Sequence, residues 1–104
     1  MNNRKRNRAA ARCKAEYSKR ESMHRLLDVV LDINGTEIRQ RDVTGDLPTV
    51  FLYFSGHTAS VDIDIHRHGW VAGDRPEFNK RANLDSVNSI IEALEAERKN
   101  HEQP

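Results

Sequence analysis

The stretch LLDVVLDINGTEIRQRDV, Leu26 to Val43, decides how the fold is read. Its first half alternates, with Leu27, Val29, Leu31 and Ile33 at every second position and Asp28 and Asp32 between them. Side chains two apart share one face of a strand, so this spacing predicts a strand with an apolar inner face and an acidic outer one. Asn34-Gly35 follows at once, and an Asn-Gly pair suits a type I′ turn because both central residues need φ > 0. TEIRQRDV then returns as a second strand, with Ile38 and Val43 inward and Arg39 and Arg41 set against Asp28 and Asp32 as cross-strand ion pairs.

Working outward, TGDLP (44–48) is a loop, and TVFLYF (49–54) is apolar almost throughout, as suits a central strand covered on both faces. SGHT turns the chain. ASVDIDIH then alternates strictly, Val61, Ile63 and Ile65 inward and Asp62, Asp64 and His66 outward. Residues 69–82 read as a connecting loop with Gly73-Asp74 and Pro76 as breakers, leaving room for a short extra strand at Trp70-Val71. NLDSVNSIIEALEAERK is the clearest helix. Asn83 is its N-cap, Asp85 and Arg98/Lys99 match the dipole at its two ends, and Leu84, Val87, Ile90, Ile91 and Leu94 form an apolar stripe.

The expected architecture is therefore α+β: a four-stranded antiparallel β-meander, a C-terminal amphipathic helix from about Leu84 to Lys99, and a weaker basic helix at the N-terminus. Leu27, Val29, Leu31, Leu52, Phe54, Val61, Ile63, Ile65, Ile90, Ile91 and Leu94 are the expected core.

The 104 residues fit one small domain, and 37% apolar against 32% charged residues leaves a thin core. The overall charge of +1 hides a division. Residues 1–25 hold nine Lys and Arg against two Glu, a net +7, and the rest holds eight cations against fourteen carboxylates, a net −6. This predicts a basic, partly helical arm over 1–25 attached to a single acidic domain over 26–104, the arm facing a polyanion or folding back on its own body. AAARCKAEYSKRE favours helix, but Ala10, Cys13 and Tyr17 make a weak stripe that needs a partner surface. The single cysteine, Cys13, forms no internal disulfide and points to a reducing cytoplasm or to indifference to redox state. No apolar run reaches the roughly 18 residues of a membrane span.

Chemistry is sparse. His66 and His68 stand two apart and could reach one metal, with His57 or Asp64 as a third ligand. A solvent-facing strand edge explains the same residues more economically, so neither metal nor cofactor is expected. No nucleophile turn or Gly-rich phosphate loop occurs. Cys13 lies among cations that would lower its pKa, yet a lone thiol on an arm makes no active site. An enzyme is not expected. With one strong helix, only one sheet face is covered. Phe51, Tyr53 and Val30, rimmed by Arg39 and Arg41, would then form a partner-binding face. Alternatively, the arm's helix covers that face through Tyr17 and Met23.

The meander segments, the closing helix LDSVNSIIEALEAERK and the charged faces together resemble the small accessory proteins of bacteriophages and other mobile elements, anti-CRISPR and host-takeover proteins among them. That resemblance implies an inhibitor or adaptor, working in a bacterial cytoplasm on a host protein or complex. The other expectation is a nucleic-acid-binding protein that sets Arg4, Lys5, Arg6, Arg8, Arg12, Lys14, Lys19 and Arg20 against phosphates.

Overall fold

A computed structural model describes residues 3–40 and 47–102, with side chains over 14–40 and 47–100. The chain runs α1 (Asn3–Asn34), β1 (Thr49–Ser55), β2 (Ser60–His66), β3 (Phe78–Asn83), a 3₁₀ turn (Leu84–Ser86) and α2 (Val87–Glu102). It is α+β, with a three-stranded antiparallel sheet ordered β1-β2-β3.

The opening stretch is helix, not strand. α1 continues from the basic arm through Leu26–Asn34 without a break at residue 25. LLDVVLDI carries two periods at once, because Leu26, Val29, Val30 and Ile33 also stand at i, i+3, i+4 and i+7. That set faces the core: Leu26 is fully buried, Val29 and Val30 nearly so, and Ile33 packs beside them. Leu27 and Leu31, which a strand would bury, remain 46% and 42% exposed.

Asn34-Gly35 ends the helix instead of turning a hairpin. Gly35 has φ of 73°, and its N–H donates to Leu31 O at 2.7 Å, as a left-handed C-terminal cap requires. Thr36 to Gln40 is irregular, and Ile38, expected inward, is 91% exposed. The expected pairing of Asp28 and Asp32 with Arg39 and Arg41 does not form as drawn. Asp32 instead accepts from Arg98 of α2 at 2.7 Å. The Arg39 guanidinium donates to Ile33 O at 2.6 Å and to Pro48 O, binding the end of α1 to the approach of β1. Arg41 and Val43 lie outside the described residues.

β1 and β2 pair as an antiparallel hairpin, Val50 opposite Ile65, Leu52 opposite Ile63, Phe54 opposite Val61. Among the described strands, however, β2 is central and β1, expected central and covered on both faces, lies at the edge. β3 replaces what looked like loop. FNKRAN holds only Phe78 and Ala82 as apolar residues, yet both meet the inner face, opposite Ile65 and Val61. Trp70-Val71 forms no strand. The turn between β1 and β2 holds Ala59 at φ of 48°, a left-handed conformation that a Cβ disfavours.

Asn83 caps the C-terminal helical segment, its side chain accepting from Ser86 N–H at 3.2 Å. α2 then presents Val87, Ile90, Ile91 and Leu94 to a core shared with Leu26, Val29, Val30, Val50, Val61, Ile63 and Ile65. Leu52 is half-buried, and Phe54 is 56% exposed. Because Val50, Val61, Ile63 and Ile65 share one sheet face by register, α1 and α2 both lie on that face. The expectation that the N-terminal helix covers the opposite face is overturned. Thirty-two residues of helix span about 48 Å, whereas a seven-residue strand spans about 23 Å. The helix therefore overhangs the sheet, and the molecule measures 65 × 27 × 22 Å.

Candidate functional site

The face opposite the helices is built by strand alternation. Register places Phe51, Asp64 and Asn79 in one row across it, and Tyr53, Asp62 and Arg81 in the next. Asn79 organises the carboxylates. Its Nδ2 donates to Asp62 Oδ1 at 2.7 Å, to Asp64 Oδ1 at 2.6 Å and to Ile63 O at 3.1 Å. One neutral donor thus holds two carboxylates beside each other, with Arg81 opposite Asp62 as the neighbouring cation.

At the other end the face is aromatic. The Phe51 ring meets His66 edge-on at 5.5 Å and Trp70 at 6.2 Å, the offset geometry that ring quadrupoles favour. Trp70 reaches this position because the chain bends back after β2. That bend is fixed by Arg67, whose backbone N–H donates to Glu77 at 3.0 Å and whose guanidinium forms a bidentate pair with Glu97 of α2 at 2.6–3.0 Å. The Glu97 contact raises the Arg67 pKa, and the Arg67 N–H holds the Glu77 carboxyl below the usual carboxylate range. Trp70 and Tyr53 stay 52% and 53% exposed, so the aromatic surface is open.

Of the expected site residues, Phe51 and Tyr53 lie on this uncovered face. Val30 does not, being buried under α1 in the core. Arg39 is spent on the α1–β1 connection, and burial lowers its pKa. Trp70, Asn79 and Arg81 belong to the face but were not expected there. The signal available was slight: one tryptophan in a segment that otherwise read as loop. His66 is 5% exposed against Phe51, whereas His68 is exposed in the following turn. Among the described residues no three His, Cys, Asp or Glu side chains gather closely enough to hold a metal ion.

A second feature lies where α1 passes the end of the sheet. A cleft of about 360 Å³ is lined by apolar Met23, Phe54 and Leu84 and by charged or polar Glu16, Lys19, Arg20 and His24. Lys19 pairs with Asp85 at 3.4 Å and Arg20 with Glu16 at 3.4 Å, so both cations are already engaged. Lys14 is exposed; the side chains of Arg4, Lys5, Arg6, Arg8 and Arg12 lie outside those described.

No described helix is long and apolar enough to cross a membrane. No family model, no curated protein and no solved structure matches this chain.

Proposed function

We propose that this chain is a non-enzymatic binding protein that docks on a partner protein through its uncovered sheet face. One observation carries this reading: both helices pack on the same side of the sheet, leaving Phe51, Tyr53 and Trp70 beside an acidic pair on the other. Half-exposed aromatics bordered by charged residues combine large contact area with orientation, as the aromatic anchors and polar rim of a protein interface do. Asp62 and Asp64 favour a partner whose contact region is cationic near an apolar anchor. Small size, a division into basic and acidic halves, and the lack of a described catalytic cluster fit the inhibitor or adaptor class of phage-type accessory proteins, acting in a bacterial cytoplasm on a host complex.

Capture from bacterial lysate with the full chain tests this. A host protein retained by the parent, lost on Trp70→Ala and on the doubly substituted Asp62→Asn/Asp64→Asn, is the expected result. Retention of nucleic acid alone, or of a protein indifferent to both variants, overturns it.

A second reading is favoured by a separate observation: the arm is not a loose tail but the first half of a continuous helix. Arg4, Lys5, Arg6, Arg8, Arg12, Lys14, Lys19 and Arg20 would line one rod against a phosphate backbone. If about five phosphates are engaged, log affinity falls against log salt with a slope near −4 to −5. Replacing the first six of these cations with Gln would abolish that dependence and leave the sheet face intact.

A further inference from the structure

Apart from the sheet face proposed above, with which it shares Tyr53, the edge of β1 is open among the described residues. Among the described residues β1 lies at the edge of the sheet, with β2 as its only neighbour. The outward side of this edge begins at Val50, whose N–H and C=O are both taken by the Asn34 side chain at 2.8 Å. The amide stands in for one residue of a neighbouring strand. Alternation then turns the N–H and C=O of Leu52 and Phe54 to the same outward side, where no described residue meets them. Natural edges are blunted by charge, proline or a covering segment. β1, TVFLYFS, holds no charged residue and no proline, and its plug stops at Val50.

We propose that two copies of this chain join edge to edge through β1 as an antiparallel, two-fold pair. The plug at Val50 limits the register. With Leu52 and Phe54 the open residues, each Leu52 pairs with Phe54 of the other copy and the two Tyr53 residues face each other on the axis. The pairing makes one six-stranded sheet. Apolar groups flank the joint on both faces: half-exposed Tyr53 on one side, half-exposed Phe54 with the exposed Leu27 and Leu31 of α1 on the other. Since an aromatic side chain carries roughly 150–250 Å², these four residues expose on the order of 400 Å² per copy. Two copies therefore supply most of the apolar part of a standard interface of about 1,200–2,000 Å².

Charge supports a second copy over an unrelated strand. α1 carries Arg20, Glu21, His24 and Arg25 before Leu27 and Asp28 and Asp32 after it. Arg20 pairs with Glu16 and Asp32 with Arg98 within the chain, which leaves Arg25 and Asp28 to face a neighbour. A two-fold axis at Tyr53 reverses α1 against its copy and sets Arg25 of each on the side of Asp28 of the other. An isologous contact of this kind closes on itself, so the edge is used up at two copies.

The test is solution mass of the purified full chain across a dilution series, by sedimentation equilibrium. A dimer mass is expected, falling toward the monomer on dilution. Tyr53→Lys sets two ammonium groups against each other on the axis while giving Asp62 a partner within the monomer. It should weaken association at least about tenfold with an unchanged far-UV spectrum. Leu27→Lys, on the helix and away from the strand, should weaken association as well and decides the matter if the first variant misfolds. A monomer mass at concentrations of about 1 mM overturns the proposal, and so does a dimer that survives both substitutions.

Discussion

Leu26 and Leu27 are adjacent, identical and opposite in fate, and truncating each to Ala measures whether this segment is helix. Leu26 has no exposed surface and sits among Val29, Val30, Ile63 and Ile90 in the core. Its truncation removes buried methyl groups and leaves a void that a thin core closes only partly, a loss of about 3 kcal/mol within the 2–5 range for such sites. Leu27 keeps 46% of its surface in water. Truncation there loses only part of a transfer free energy of about 1.5–3 kcal/mol and leaves no cavity, so about 1 kcal/mol or less is expected. In a domain of this size 1 kcal/mol moves Tm by roughly 4–8 °C. Leu26→Ala should therefore lower Tm by about 12–24 °C and Leu27→Ala by less than about 8 °C. Thermal unfolding by circular dichroism at micromolar concentration, dilute enough to minimise self-association, is the assay. Equal losses, or a larger loss at Leu27, would refute the helix and restore a strand, since period two buries Leu27 and exposes Leu26.

Ala59→Gly relieves a left-handed backbone that a Cβ makes costly; net of glycine's greater unfolded entropy, urea unfolding should show a gain of up to about 1 kcal/mol. Arg39→Ala leaves Ile33 O and Pro48 O without their donor and should cost about 1–3 kcal/mol by the same measurement. Because the folded-state pKa of Glu77 is depressed, its contribution to stability is present above the ordinary carboxylate range and lost as pH falls through and below it. Glu77→Gln should accordingly lower Tm at neutral pH while changing little at low pH, which flattens the acid limb of a Tm-against-pH curve. A curve with an unaltered acid limb would show that the Arg67 N–H contact does not form.

The C-terminal helix and the β1–β2 hairpin were legible because each offers a single periodicity. Val61, Ile63 and Ile65 fit only period two, and Val87, Ile90, Ile91 and Leu94 fit only the helical one. Leu26 to Ile33 offers both, and Asn-Gly does not break the tie, since a left-handed glycine serves a helix end as well as a hairpin. Phe51 and Tyr53 lie on the uncovered face as read because their placement depended on β1 alone. The expectation at Val30, Arg39 and Arg41 depended on a strand that Leu26–Asn34 does not make. β3 was hidden for a different reason. FNKRAN has two apolar side chains, and its pairing derives from the open side of β2, which no local pattern within residues 78–83 reveals.

The two contacts between Asn34 and Val50 join chain segments sixteen residues apart and make the last turn of α1 part of the sheet. The Val50 amide can exchange its proton with solvent only when that side chain lets go. Fraying of the helix end would therefore be read out on a strand. If the two elements open together, the Val50 and Gly35 amides belong to one cooperative unit and exchange with matching free energies. If the helix end frays alone, Val50 exchanges faster than the interior of β2 although it is buried.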